Sequence, residues 1–319
     1  MTARALSRRP GTVTQEEIDS YDRDGVVCLR DAIPQVWVDR LLKAWTRMRA
    51  DLEAGRKMYH LPPAFLAGDP KLSAEMAAVD NPKRLSERSG NKFTGCKWMW
   101  HWDQDFRDFA LQSPAGEIVG RVMQADEVRF YWDQMFVKDA GCGVNTYWHA
   151  DYPAWPVSGE MIPSLWIALS PIGKESCVET VAGTHRDMTM QWPRSFNARQ
   201  IAWPKDSRPD FIDYEQRRDD PSVRFLAFDM NPGDAILIHP RVHHGGGDNP
   251  DPRRDRIALS TRWLGNDIRW DPRPECVNTP GLPLDEMVKG ARPGDRPGDD
   301  ALFPVVWRRA PRETRQAAE

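Results

Sequence analysis

The chain has 319 residues, and its 44 basic and 47 acidic side chains leave a net charge of -3. This balance gives no reason to expect nucleic acid or an anionic membrane as a partner. The sequence has no run of about 18 apolar residues that would cross a bilayer, and no apolar segment of a secretory signal near its first residue. Five scattered cysteines favour reduced thiols in a cytoplasmic protein over a disulfide framework.

The N-terminal part of the chain predicts two short elements after a flexible start. Residues 1–11 are expected to form a frayed arm. Thr14 and Glu17 have the spacing of a capping box, which predicts a short helix over residues 15–23. The compact apolar run of residues 25–29 then predicts a strand.

Three more helices are predicted before the strand-rich part of the chain. The longest begins at Pro34, and residues 105–112 and 115–123 favour two shorter ones. Residues 55–110 otherwise mix aromatic, proline and charged residues without a sustained period. The apolar face of the longest helix consists of Val38, Leu41, Leu42, Trp45, Met48 and Leu52.

From Val128 onward the sequence is rich in strand-forming residues. Short strands at frequent spacing favour a barrel or sandwich, and the early helices indicate a β-rich α+β class with helices packed outside a β core. We expect a single domain over residues 1–319, with residues 292–300 as a surface loop. The predicted strands are residues 128–138, 145–149, 164–169, 224–228, 233–239 and 256–263.

A histidine and an aspartate two positions apart, His149 and Asp151, form the first candidate site. A two-residue offset places both side chains on the same face of an extended segment, where an imidazole and a carboxylate can bind one metal ion. The pair alone is weak evidence, because a surface pair at the end of a strand would have the same spacing.

A second histidine-containing segment follows about 90 residues later. There the apolar strand of residues 233–239 runs into His243, His244 and three glycines, which allow close approach of the backbone to a ligand. Two histidines and one carboxylate, with open coordination positions, are the facial arrangement of non-haem Fe(II) oxygenases. The alternative is that these histidines only cap a β-turn.

An arginine at the start of the next strand, Arg256, is a candidate for binding a carboxylate. A guanidinium can grip the distal carboxylate of 2-oxoglutarate with two parallel hydrogen bonds. Three other arginines compete for this role, and any of the four could be solvated instead. The competitors are Arg253, Arg254 and Arg262.

A series of blocks extends in order over most of the chain: YDRDGVVCLRDAIP, VRFYWDQMFVKDAG, TYWHADYPAWPVSG, SLWIALSPI, VAGTHR, NPGDAILIHPRVHHGGGDN and RIALSTRW. Their order and spacing resemble the phytanoyl-CoA dioxygenase family of Fe(II)- and 2-oxoglutarate-dependent oxygenases. The resemblance implies a double-stranded β-helix, or jelly-roll, core with helices outside. It also implies Fe(II), 2-oxoglutarate and O2 as cofactor and cosubstrates, and hydroxylation or another C–H oxidation of a small organic molecule.

The resemblance assigns roles to individual residues. It implies His149, Asp151 and His244 as metal ligands, because the family's second histidine directly precedes the glycine-rich turn, which favours His244 over His243. It implies Arg256 as the arginine that binds 2-oxoglutarate. Further cosubstrate contacts are predicted from residues in blocks that face or flank the site, namely Gln134, Lys138 and Trp166.

The sequence departs from the family pattern at two positions beside the predicted ligands. Many relatives have Gln or His where this chain has Ala150, and Ser where it has Gly246. Both changes remove polar groups, so we expect a less polar cosubstrate pocket than is usual in the family. Asp151 is retained, and because relatives that halogenate lack this carboxylate, halide transfer is disfavoured.

Aromatic residues near the predicted site suggest the chemistry of the substrate. A pocket lined by aromatic rings would suit an apolar or a quaternary-ammonium molecule, and family architecture suggests that residues 55–110 help to cover it. Most of the 14 tryptophans are nevertheless expected in the core. The candidate substrate-binding residues are Trp148, Tyr152, Trp155 and Trp102.

Two other functions fit part of this pattern. A cupin-type metal enzyme that does not use 2-oxoglutarate would share the fold and the histidines without needing Arg256. A non-catalytic jelly-roll binding protein would take up no metal at all. The sequence carries no signal for the oligomeric state.

Overall fold

The computed structural model describes residues 11–53, 93–191, 212–273, 276, 288 and 290–310. Four helices lie in these ranges: α1 (Gln15–Asp24), α2 (Gln35–Glu53), α3 (Gln104–Gln112) and α4 (Ala115–Val122). The strands are β1 (Val26–Leu29), β2 (Phe93–Lys97), β3 (Glu127–Lys138), β4 (Thr146–His149), β5 (Val157–Ser158), β6 (Ser164–Ala168), β7 (Val178–Val181), β8 (Phe225–Leu226), β9 (Ala235–Ile238), β10 (His244–Gly246), β11 (Arg256–Leu264), β12 (Arg269–Trp270) and β13 (Val305–Arg308).

The strands form two principal antiparallel sheets, as expected for a β-rich jelly-roll core. The larger has seven strands in the order β1-β9-β6-β11-β3-β13, with β2 also paired to β3. The smaller has four strands in the order β4-β10-β7-β8. Neighbours in both sheets are distant in sequence, so residues far apart along the chain become adjacent only through strand pairing.

Strand β11 separates two hydrophobic clusters because its side chains alternate between the two faces of the large sheet. Leu259 and Trp263 belong to the cluster that includes the apolar faces of the helices. Ala258 belongs to a second cluster on the opposite face, together with Trp166 and Val178. The functional candidates of β11 occupy this second face, which is shared with the small sheet.

The predicted helices form where their sequences indicate. The capping box of Thr14 and Glu17 begins α1, which ends at Gly25 in the left-handed conformation (φ 72°). Helix α2 begins one residue after Pro34. Its face is buried at Val38, Leu41, Trp45 and Met48, and Leu42 is partly buried, whereas the side chain of Leu52 lies outside the described residues.

Several strands lie where no strand was predicted, notably β2, β7 and β10. The sequence of β10, His-Gly-Gly, has low strand propensity, and it is extended because it pairs with β4 on one side and β7 on the other. Strand β2 pairs with β3 inside a segment that lacks a clear pattern. Residues 1–10 of the arm predicted over residues 1–11 lie outside the described residues, whereas Gly11 is buried. Residues 54–92, most of the predicted covering segment, also lie outside them.

The predicted surface loop agrees with expectation, since residues 292–300 form turns and coil and are mostly exposed. No disulfide joins any of the five cysteines. Within the described part of the chain, no helix combines the length and apolarity needed to cross a membrane.

Candidate metal centre and cosubstrate pocket

Three potential ligands converge at one end of the small sheet. His244 of β10 lies directly opposite His149 of β4 in the strand register, so the two imidazole centroids are 4.2 Å apart. Asp151 follows β4 after one residue, and its Oδ1 lies 3.7 Å from Nε2 of His149 and 4.0 Å from Nε2 of His244. Candidate ligand atoms of all three residues lie within 4.8 Å of one another.

Backbone and hydroxyl contacts orient these three side chains. Nδ1 of His149 lies 2.8 Å from the carbonyl of Tyr147, and Nδ1 of His244 lies 2.9 Å from that of Val242. A carbonyl only accepts, so each Nδ1 carries the proton and each Nε2 presents a lone pair toward Asp151. The hydroxyl of Ser164 donates to the other carboxylate oxygen of Asp151 at 3.0 Å.

The electrostatics of the site favour the protonation states that metal ligands require. Burial, reinforced by nearby His244, lowers the pKa of His149 to about 3, which keeps the imidazole neutral. Burial alone would raise the pKa of Asp151, but His244, Arg262 and His149 together lower it below its ordinary value. A neutral imidazole facing an ionised carboxylate fits a divalent cation, and the N/O donor set fits Fe(II).

The structure separates the two adjacent histidines. His244 points to Asp151, whereas His243 points to the other side and its Nδ1 lies 2.8 Å from the hydroxyl of Tyr214. Adjacent residues of an extended chain face opposite ways, so only one of the pair can reach the metal position. His239 instead lies 3.2 Å from Glu160, away from the cluster.

A partly open cavity adjoins the three ligands. Arg256 and Arg262, both buried, are the basic members of its wall, while Arg253 and Arg254 are exposed on the preceding turn. The other described residues of the wall are Phe136, Thr146, Ser164, Trp166, Val178, Ile238, Gly245, Gly246 and Ser260, together with the three candidate ligands.

The Arg256 side chain has the features of a carboxylate-binding group. Its Nη1 donates to the carbonyl of Ser176 at 2.9 Å, and its guanidinium lies 5.7 Å from the ring centre of Trp166. Burial lowers its pKa to about 10, so it remains a cation at neutral pH. It forms no ion pair with any acid in the described ranges, so a buried charge is left for an anionic ligand to neutralise.

The structure places the other predicted cosubstrate residues differently. Trp166 is on the cavity wall, but Gln134 and Lys138 are not among the described residues that line it. The buried Nζ of Lys138 donates to the carbonyl of Gly247 and lies 5.2 Å from the ring centre of Phe93. Burial lowers its pKa to about 6. Lys138 therefore contacts the glycine segment that follows His244, rather than the cavity.

The four aromatic residues predicted to bind substrate lie away from the cavity wall. Trp148 precedes His149 in β4 and faces the opposite side, where its indole N–H donates to Glu215 at 2.8 Å. Tyr152 packs beneath the guanidinium of Arg241, whereas the other two predicted residues, Trp155 and Trp102, pack in or against the main core. The expected aromatic lining is thus reduced, among described residues, to Phe136 and Trp166.

Three hydroxyl-bearing residues of the wall were missed by sequence reasoning, namely Thr146, Ser164 and Ser260. They give the cavity polar groups despite the absence of polar side chains at Ala150 and Gly246. Strand alternation is the signal that could have identified two of them. Ser164 is two residues before Trp166, and Ser260 lies midway between Ala258 and Arg262 on the same face of β11.

Two of the three glycines after His244, Gly245 and Gly247, are needed for packing of the protein chain itself. A Cβ at Gly247 would overlap the carbonyl oxygen of Glu175, and one at Gly245 would lie 3.2 Å from both the Trp148 ring and the Thr146 carbonyl. At Gly246, the nearest atom would be 3.5 Å away, which is ordinary contact. Close approach of neighbouring backbone segments therefore explains Gly245 and Gly247 better than approach to a ligand.

This difference between neighbouring glycines predicts the effect of two matched substitutions. We expect Gly247→Ala to lower the free energy of unfolding by about 1–3 kcal/mol, because the rigid backbone of Glu175 must move. We expect Gly246→Ala to stay within about 0.5 kcal/mol of the wild type. Urea unfolding of both variants measures the difference, and equal stabilities would contradict the packing explanation.

A jelly roll that carries a His-x-Asp…His cluster beside a buried arginine defines the class of non-haem Fe(II)- and 2-oxoglutarate-dependent oxygenases. Within this class, the chain belongs to the phytanoyl-CoA dioxygenase (PhyH) family, whose model matches residues 21–256. The match spans the three candidate ligands and ends at Arg256.

Solved structures of low sequence identity share the fold. The α-ketoglutarate-dependent epimerase SnoN from nogalamycin biosynthesis is 17% identical with a TM-score of 0.60, over 94% of this chain and 98% of that one. The carbocyclase SnoK from the same biosynthesis is 19% identical with a TM-score of 0.57, over 95% and 100%. EctD from S. alaskensis, solved with 2-oxoglutarate and 5-hydroxyectoine, is 17% identical with a TM-score of 0.56, over 85% of each chain. The search of curated proteins found no match.

Proposed function

We propose that this protein is a dioxygenase that oxidises a C–H bond of a small organic molecule, with hydroxylation as the expected outcome. The observation that carries the proposal is the convergence of His149, Asp151 and His244 on a cavity that also contains the buried guanidinium of Arg256. This guanidinium forms no ion pair with an acidic residue in the described ranges. Fe(II) would be held by the three ligands. When bound, iron and 2-oxoglutarate supply the activation of O2, with conversion of 2-oxoglutarate to succinate and CO2.

The residues of the chain position the reactants and exclude water. Arg256 would bind the distal carboxylate of 2-oxoglutarate at the far end of the cavity from Asp151, supported by the carbonyl of Ser176 on its Nη1. Trp166 flanks that guanidinium, and Ser164 holds the orientation of Asp151. The protein itself needs no nucleophilic side chain for this reaction.

Anaerobic addition of Fe(II) and then 2-oxoglutarate to the purified protein tests the proposal. We expect a visible charge-transfer band that depends on both additions and is absent in Asp151→Ala. A cupin-type enzyme that ignores 2-oxoglutarate would take up metal without the band, and a non-catalytic binding protein would not take up metal. Either result would refute the proposal.

A screen for succinate release on admission of O2 then identifies substrates, again with Asp151→Ala as the control. The names of SnoN and SnoK refer to epimerisation and ring formation, so the product must be characterised as well as counted. Hydroxylation adds one oxygen atom to the substrate, ring formation removes two hydrogens, and epimerisation leaves the mass unchanged. Mass spectrometry of the product distinguishes the three.

A further inference from the structure

A second buried arginine, Arg262, lies on the cavity wall, and beyond its electrostatic effect on Asp151 it has no role in the function proposed above. Only 3% of its surface is exposed, and although Asp151 and Asp133 are near enough to favour its charge, it forms no ion pair with any acid in the part of the chain that the structure describes. Its Nη1 donates to the carbonyl of Ser260 at 3.1 Å, while its Nε has no hydrogen-bond partner. A buried N–H without a partner is costly, so this donor is available to a ligand in the cavity.

The position of Arg262 in β11 separates it from Arg256. Both side chains are on the cavity face of the strand, six residues apart, which corresponds to about 20 Å between their backbone positions. Arg262 pairs in register with Ser164, whose hydroxyl holds Asp151, so it stands at the metal end of the cavity. Arg256 stands at the other end, beside Ser176. The two guanidiniums can therefore serve two different ligands.

The surroundings of Arg262 hold its guanidinium in a defined orientation. It lies 4.1 Å from the ring centre of Trp132 and 5.9 Å from that of Phe136. Stacking on aromatic rings is a common way to present a planar guanidinium for bidentate binding of an oxyanion.

The charge of the occupied site points to the same conclusion. With Fe(II), Asp151, dianionic 2-oxoglutarate and both guanidiniums in place, the cavity would carry one excess positive charge, which the nearby buried Asp133 offsets only in part at neutral pH because burial raises its pKa to about 7. Lys138 adds little at neutral pH, since burial lowers its pKa to about 6. A monoanionic substrate would neutralise the site, whereas a quaternary ammonium would increase the imbalance.

We propose that Arg262 anchors an anionic group of the primary substrate, and that the substrate is a small organic acid bound through its carboxylate. This inference rests on the proposed function, and it replaces the expectation of an apolar or quaternary-ammonium substrate. The carboxylate would lie on Arg262, and the C–H bond to be oxidised would face the three candidate metal ligands.

Matched pairs of small molecules test the proposal before the substrate is known. The probes are benzoate with benzamide, cyclohexanecarboxylate with its primary amide, and benzenesulfonate, each added anaerobically to protein loaded with Fe(II) and 2-oxoglutarate. We expect the carboxylates, and not the amides, to raise the Tm of the wild type and to leave the charge-transfer band in place. Stabilisation by the sulfonate alone would overturn the carboxylate assignment, and no acid-specific shift would overturn the inference.

Variants at the two arginines identify the site of binding. We expect Arg262→Met to abolish the carboxylate shift while 2-oxoglutarate affinity, measured from the band, stays within threefold of the wild type (roughly 0.5 kcal/mol, the spread of neutral substitutions). Arg254→Met, at an exposed position, serves as the control and should keep both the carboxylate-induced Tm shift and the 2-oxoglutarate affinity of the wild type. If Arg262→Met instead weakens 2-oxoglutarate binding tenfold or more, Arg262 serves the cosubstrate and the inference is wrong.

Stability of the ligand-free protein separates a ligand-binding role from a structural one. Arg262 forms no ion pair, and its removal withdraws only a weaker attraction from the nearby Asp151 and Asp133, so we expect Arg262→Met to lower the Tm of the ligand-free protein by at most about 2 °C. A fall of several degrees would indicate that Arg262 holds the fold together and would overturn the inference. If the wild type gives no charge-transfer band, the proposed function fails. If it gives the band but carboxylates do not raise its Tm, only the inference about Arg262 fails.

Discussion

Replacing His244 by alanine is expected to abolish Fe(II) binding, whereas replacing the adjacent His243 leaves it intact. His244 supplies one of only three side-chain ligands in the cluster, with Nε2 4.0 Å from Asp151 Oδ1. We expect its loss to exceed the roughly 10–100-fold effect of removing a supporting partner of a metal ligand. Anaerobic Fe(II) titration measures the affinity of each variant.

The His243→Ala control removes a buried imidazole of the same chemistry from the next position. It loses the hydrogen bond to the hydroxyl of Tyr214, which we expect to cost about 1 kcal/mol of stability without effect on iron. The comparison therefore separates the loss of a ligand from general destabilisation. Iron binding that survives in His244→Ala, or is lost in His243→Ala, would refute the assignment of the ligands.

Replacing Arg256 by methionine is expected to weaken 2-oxoglutarate binding by about 100-fold or more. Two hydrogen bonds to a charged group contribute about 1.5–3 kcal/mol each, and methionine keeps the apolar contact with Trp166 while removing the charge. Iron affinity should be unchanged, because Arg256 contacts none of the three ligands in the hydrogen bonds and ion pairs of the described residues. Anaerobic titration of the charge-transfer band gives the 2-oxoglutarate affinity.

The exposed Arg254 provides the matched control for this substitution. It lies two residues earlier and pairs with Asp251 at the surface, so Arg254→Met removes the same charge outside the cavity. We expect its 2-oxoglutarate affinity to match that of the wild type. Equal affinities for Arg256→Met and the wild type would show that another group binds the cosubstrate, and Arg262 would then be the first to examine.

The local elements could be predicted from sequence because their signals are local. The capping box of Thr14 and Glu17, the apolar face of α2 and the strand-rich segments from Val128 onward each depend on residues near one another in the chain. Strand β10 could not be predicted in this way. Its His-Gly-Gly sequence favours a turn, and it becomes a strand only because β4 and β7 pair with it.

The direction in which aromatic side chains point was beyond local reasoning. Trp148 and Tyr152 flank the candidate ligands in sequence, yet they pack against Glu215 and Arg241 rather than the cavity. Proximity in sequence to a ligand does not place a side chain in a pocket, since alternate residues of a strand face opposite sides. The charged character of the cavity became visible only when β11 brought Arg256 and Arg262 to the same wall.

The sequence by itself determined the family, the β-rich class and a candidate metal-binding pair, because these depend on residue type, order and short spacing. It also favoured His244 over His243 through the glycines that follow. Only the tertiary structure decided that His244 lies opposite His149 and that both Nε2 atoms face Asp151. Only strand pairing revealed that two buried guanidiniums share one cavity, because their environment is built from strands far apart in sequence.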